Sequence, residues 1–113
     1  MPVIAAGRVA TATAVHCPGW IETDARGSVV AVGSGRPPRP ADIAYDDGIV
    51  VPGFVDMHVH GGGGGDYTDL DEESVRRARE VHFAHGTTTS MASLVTADPQ
   101  RLRAQVDLLT RLV

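Results

Sequence analysis

Asp56, His58 and His60 alternate along "DMHVH", and five consecutive glycines, Gly61, Gly62, Gly63, Gly64 and Gly65, then carry the chain to Asp66. Side chains repeat every two residues along an extended strand, so Asp56 and both histidines share one face, with the histidine Cβ atoms roughly 7 Å apart. Two imidazoles at that spacing can converge on one divalent cation, and neutral imidazole suits ions such as Zn²⁺ or Fe²⁺. The glycine run has two readings. One is a flexible linker; the other is backbone that takes positive φ and passes close to a metal or substrate with no Cβ in the way. Its place between a strand and a helix favours close approach. A phosphate loop is disfavoured, because neither the Gly-Lys-Ser/Thr ending nor dinucleotide-type spacing is present. Asp56, the glycines and Asp66 are therefore supporting positions around His58 and His60, although Asp66 and Asp69 also read as turn and cap residues. His16, His82 and His85 read as structural.

These residues need elements to hold them. Ile49 to His60 contains an apolar run that enters a strand after Pro52-Gly53. Asp71 to Ala84 reads as a helix with Asp71 as N-cap, Glu72 and Glu73 in its first turn and Gly86 just past its end. Leu70 and Val75 are placed for a hydrophobic staple. Val75, Ala78 and Val81 form its apolar face, and Arg76, Arg77, Arg79 and Glu80 its solvated one. Thr87 to Val95 reads as a second strand. Asp98-Pro99 opens a last helix with Leu102, Val106, Leu109 and Val113 as its apolar stripe. Strand, helix, strand, helix is the pattern of a parallel sheet. Reactive groups in α/β barrels lie at the C-terminal ends of strands, which is where the histidines fall.

Residues before this are patterned differently. From Val3 to Val51 short β-prone runs alternate with turn signals, "DARG" at Asp24 to Gly27 and Asp47-Gly48, which describes a small β module. Gly33 to Pro40, "GSGRPPRP", is a solvated loop. Domains at 1-51 and 52-113 follow.

A hydrophobic fraction of 42% with 21% charged residues describes a globular chain, and a net charge of −4 argues against nucleic acid or an anionic membrane surface as partner. No run approaches a membrane span and no basic leader opens the chain. Cys17 is the only cysteine and reads as a buried free thiol in a reducing compartment, so a cytoplasmic location is expected.

The stretch "VPGFVDMHVHGGG", Val51 to Gly63, resembles the metal-binding signature at the first barrel strand of the amidohydrolase superfamily. Its continuation "GGDYTD" and the later "HGTTTSMASLVT" look most like the N-acetylglucosamine-6-phosphate deacetylase family. That resemblance implies an α/β fold: a small N-terminal β-sandwich module followed by the first two βα units of a metal-dependent-hydrolase TIM barrel, which is incomplete at this length. It implies His58 and His60 as metal ligands, a divalent cofactor (Zn or Fe, one or two ions in the complete enzyme), and a small-molecule amino-sugar phosphate as partner. A homo-oligomer is expected at full length. The implied reaction is hydrolysis of the N-acetyl group of N-acetylglucosamine 6-phosphate to glucosamine 6-phosphate and acetate, with metal-activated water and a carboxylate as base and then acid.

The same resemblance places the catalytic aspartate, the other ligands and the phosphate-binding residues downstream of Val113. No catalytic residue is therefore expected within the chain, and as an N-terminal portion it is expected to be inactive alone, since a catalytic zinc normally has three protein ligands. Two alternatives stand beside this reading. One is another amidohydrolase, dihydroorotase-like or isoaspartyl-dipeptidase-like; the other is a non-catalytic remnant acting as an interaction module.

Overall fold

The computed structural model describes residues 1–113 and divides into two compact units, Met1–Pro52 and Gly53–Val113.

The first unit is one five-stranded sheet. Its strands are β1 (Val3–Ala10), β2 (Val15–His16), β3 (Gly19–Thr23), β4 (Val29–Ser34) and β5 (Ile43–Val50). β1 is central: antiparallel to β3 and β2 along one edge and parallel to β5 along the other, with β4 antiparallel to β3. Val3, Ala6 and Val9 of β1 are buried. The "DARG" turn joins β3 to β4 as expected. Asp24 accepts hydrogen bonds from the Arg26 and Ser28 amides, and Gly27 takes φ +84°. Asp47-Gly48 departs from expectation. Instead of turning the chain, it lies within β5 where the β1–β5 register shifts between Ala6 and Arg8, so two extra residues bulge beside Gly7. A Cβ on Gly7 would collide with the Asp46 carbonyl oxygen, so this bulge requires glycine opposite it. Cys17 is exposed rather than buried, in the short segment between β2 and β3.

In the second unit β6 (Phe54–Val59) pairs in parallel with β9 (Thr87–Ala92), and α1 (Glu72–Ala84) lies between them in sequence. Between β6 and α1 come two very short strands, β7 (Gly61–Gly62) and β8 (Gly65–Asp66), and α2 (Pro99–Arg111) closes the unit. Asp71 caps α1 by accepting from the Glu73 and Ser74 amides, and Asp98 caps α2 by accepting from the Arg101 amide, with Pro99 following. The core joins Val59 of β6, Tyr67, Val75 and Ala78 of α1, and Leu108 of α2, with Leu109 and Leu112 packed against it.

Two details of this packing differ from the sequence reading. The buried face of α2 is Gln105 and Leu108 with Leu109 and Leu112 beside them, while Val106 and Val113 are exposed. Gln105 occupies an apolar position with its side-chain amide nitrogen donating to the Thr68 carbonyl at 2.6 Å, which offsets part of the cost of burial, while its Oε1 is buried without a partner. Leu70 is exposed while Val75 is buried.

Candidate functional site

β6 delivers Asp56 and His58, and His60 follows immediately after its last residue, so the three side chains take the alternate positions of one strand end. The imidazoles meet edge to face, with centroids 4.9 Å apart and planes at 82°. Their Nε2 atoms are 3.2 Å apart. Tetrahedral zinc with Zn–N bonds of about 2.0–2.1 Å sets its ligand nitrogens about 3.3 Å apart, so this separation fits two ligands of one ion. Each ring is held differently. His58 is exposed, and its Nδ1 lies 3.4 Å from the Ser93 hydroxyl. His60 is half-buried, and its Nδ1 is buried without a hydrogen-bond partner. The Asp56 carboxylate accepts from the His58 backbone amide at 3.1 Å, bracing the strand end.

The glycine run folds into a hairpin. β7 and β8 pair Gly61 with Asp66 and Gly62 with Gly65, so Gly63 and Gly64 are the two central turn residues. Their φ values are +59° and +79°, the left-handed values a tight primed turn demands. The Tyr67 amide continues the pairing by donating to the His60 carbonyl at 2.8 Å. What the hairpin approaches is α1. A Cβ on Gly65 would collide with the Ser74 carbonyl oxygen, and one on Gly62 would lie 2.8 Å from His82 Nε2. His82 Nε2 is 3.0 Å from the Gly61 carbonyl, which ties the hairpin to the last turn of the helix.

Asp66 closes the loop. It accepts from both the amide and the hydroxyl of Thr68 at 2.7 Å, and those two hydrogen bonds hold its carboxyl below the usual carboxylate range. The Asp66 amide in turn donates to the Ser74 hydroxyl, which donates to Asp69 at 2.6 Å. Asp66 and Asp69 are thus occupied by the turn and by the start of α1. His16, with no partner evident from sequence, pairs through Nδ1 with the Ser34 hydroxyl at 2.7 Å, and His85 Nδ1 pairs with the Val81 carbonyl.

The structure therefore brings His58 and His60 together and leaves the other three histidines apart. No group of three or more His, Cys, Asp or Glu residues is arranged to hold a metal. A cleft lined by Arg79, His82, Phe83, Thr87, Thr88 and Ser90 includes neither His58 nor His60. Two contributors escaped the sequence reading. His82 carried only the signal of a basic residue near a helix C-terminus, and Ser93 is one polar residue in "SMASLVT" with nothing in its spacing to mark it.

No protein-family model matches the chain. The chain is 32% identical over 85 residues to the N-acetylglucosamine-6-phosphate deacetylase of Vibrio furnissii, a match spanning 74% of this chain and 21% of that protein. The crystal structure of N-acetyl-D-glucosamine-6-phosphate deacetylase from Mycobacterium smegmatis superimposes with a TM-score of 0.95 at 48% identity, covering 100% of this chain and 32% of that one. A mutant of the same enzyme, in complex with N-acetyl-D-glucosamine-6-phosphate, superimposes with a TM-score of 0.94 at 48% identity, over 99% of this chain and 29% of that one. Across its length, then, this mixed α/β chain resembles the N-terminal part of an N-acetylglucosamine-6-phosphate deacetylase, and it spans about a third or less of each such protein.

Proposed function

We propose that the chain supplies one corner of a metal-dependent site for removing the N-acetyl group of N-acetylglucosamine 6-phosphate, releasing glucosamine 6-phosphate and acetate. The observation that carries this reading is the convergence of His58 Nε2 and His60 Nε2 to 3.2 Å at the end of β6. The deacetylase neighbours, one of them holding that sugar phosphate, favour it over the dihydroorotase-like, isoaspartyl-dipeptidase-like and non-catalytic alternatives.

His58 and His60 would hold a divalent ion, zinc or iron, and Asp56, the Gly61 to Gly65 hairpin and Asp66 would support them. When bound, such an ion polarises an amide carbonyl and lowers the pKa of water. The chain's own part is positioning. β6 and the residue after it present both rings on one face, the Asp56 carboxylate braces the His58 backbone, and the hairpin packs its glycines against α1. Two imidazoles fall short of the three protein ligands usual for catalytic zinc, so the 113 residues alone are inactive in this proposal. In the same reading the five-stranded sheet is part of a β-sandwich module, β6 and β9 are the first strands of a TIM barrel, and the complete protein is a cytoplasmic homo-oligomer with one or two ions per site.

Zinc titration followed by histidine NMR tests the metal assignment. Zn²⁺ should shift the ring resonances of His58 and His60 together and leave His16, His82 and His85 unmoved. A response confined to the other three histidines overturns it.

A further inference from the structure

We propose that His82 is a positioning residue: its ring clamps the glycine hairpin to α1 through the Gly61 carbonyl and so holds the backbone that carries His60 in the geometry a metal requires. The role rests on the metal reading above, but the clamp itself is observable in the chain without any metal.

A ligand placed directly before five glycines has a mechanical problem. Glycine backbone is the freest in any chain, and strands as short as β7 and β8 hold each other only weakly. Residues 61 to 65 have no side chain with which to pack. Their stiffness must come from hydrogen bonds to something rigid, and α1 supplies these at three points. The Asp66 amide donates to the Ser74 hydroxyl at 2.9 Å, Arg77 Nη1 donates to the Gly64 carbonyl at 3.3 Å, and His82 Nε2 meets the Gly61 carbonyl at 3.0 Å. Only His82 acts on the residue joined to His60. Ser74 holds the returning arm, and Arg77 is exposed at the tip. The helix is a sound anchor, since Asp71 caps it and Val75 and Ala78 are buried in one core with Val59, the residue between the two strand-end histidines.

The direction of the clamp is fixed by its acceptor. A carbonyl oxygen carries no proton, so His82 Nε2 is the donor whatever charge the ring bears. The place of the ring is fixed as well: a Cβ on Gly62 would lie 2.8 Å from that nitrogen and 3.0 Å from Val81 Cγ1, so glycine at 62 leaves room for it. On the other side of the same short stretch, the His60 carbonyl accepts from the Tyr67 amide at 2.8 Å. Two successive carbonyls, those of His60 and Gly61, are thus held by different elements, one by the returning hairpin arm and one by the helix. With both held, the backbone just after His60 loses its freedom, which keeps the His60 ring beside His58 with their Nε2 atoms 3.2 Å apart. Contacts of this outer kind orient a ligand without themselves meeting the ion.

The test compares wild type, His82→Phe and His82→Gln in the 113-residue chain. Phenylalanine keeps a ring and removes the donor; glutamine restores a donor N–H at similar reach. Long-range ¹H–¹⁵N NMR of the metal-free wild type, with the imidazoles neutral, should show His82 protonated at Nε2, and Zn²⁺ should leave it so. Amide exchange at Tyr67 should quicken severalfold in His82→Phe while the Ala78 amide, inside α1, keeps its wild-type rate, and His82→Gln should recover the protection. Zn²⁺ affinity, read from the His58 and His60 ring shifts, should fall roughly tenfold in His82→Phe and return in His82→Gln, the scale of an outer partner to a ligand. His82 protonated at Nδ1 in wild type, or zinc affinity unchanged in His82→Phe, would overturn the proposal. Tyr67 and Ala78 exchanging faster together would overturn it too, by reducing His82 to a general stabiliser. A wild-type chain that ignores Zn²⁺ while its Tyr67 protection depends on His82 would sink the metal reading and leave the clamp standing, so the two failures are distinguishable.

Discussion

Gly65 lies against the carbonyl oxygen of Ser74 so closely that a Cβ would occupy the oxygen's own space. Gly65 is therefore fixed by packing, whereas Gly64, with φ +79° and open space around it, is fixed by backbone conformation alone. Gly65→Ala should destabilise the second unit by roughly 1–3 kcal/mol through overpacking. Gly64→Ala should cost about 1–2 kcal/mol, the ordinary penalty of the left-handed region, and Gly64→Asn less. Urea denaturation of the three variants checks the order; equal costs for Gly65→Ala and Gly64→Asn would contradict it.

Removal of either imidazole should abolish zinc binding, because the chain has no third donor to replace it. Isothermal calorimetry of His58→Ala and His60→Ala should show no binding, and His85→Ala should behave as wild type, since its ring is turned to the Val81 carbonyl of its own helix. The unsubstituted chain, given zinc and N-acetylglucosamine 6-phosphate, should release no acetate; measurable release would show that two protein ligands suffice.

Asp42 links stability to pH. It accepts a hydrogen bond from the Val3 amide at 2.7 Å and one from Arg39 at 3.1 Å, and these, the Val3 bond foremost, hold its carboxyl below the ordinary value. A carboxylate with a depressed folded pKa stabilises the fold above its unfolded pKa, and that contribution fades as pH falls through the folded value. Asp42→Asn should therefore be less stable than wild type near neutrality and approach it in acid. Urea midpoints measured from pH 7 down to pH 3 read this directly.

Gln105 should be intolerant of truncation. Gln105→Ala removes the only hydrogen bond to its side chain and strands the Thr68 carbonyl, at a cost on the order of 1–3 kcal/mol. Thermal unfolding would show it, with Gln100→Ala, on the exposed first turn of α2, as the near-neutral control.

Cys17, being exposed, should react with one equivalent of a thiol reagent in the native chain without denaturant. Reaction that appears only on unfolding would place the thiol inside.

The parts legible in the sequence are those whose signals are local. Asp71 and Asp98 marked both helix starts, Gly27 marked a turn, and the two-residue period put His58 and His60 on one face. The illegible parts depend on partners distant in the chain. Gln105 is polar and sits in the core because Thr68 is there to receive it. Asp47-Gly48 has the composition of a turn, yet β1 keeps it in a strand by pairing on both sides of it. The glycine run reads as backbone passing close to a metal or substrate, whereas what the structure shows it packed against is α1, through Ser74 and His82. Cys17 read as a buried residue on the habits of its residue type, whereas the segment that holds it lies on the surface.

The central position of β1 has a kinetic side. Its antiparallel partner β3 arrives within about twenty residues, but its parallel partner β5 pairs residue 4 with residue 43 and residue 9 with residue 50. As the chain leaves the ribosome, the β1–β3–β4 meander can form first, and one edge of its most buried strand then stays open until residue 50 has emerged. An open edge is a template for other chains. For the first unit, the interval between synthesis of Ser34 and synthesis of Val50 is therefore the period of greatest exposure to mispairing.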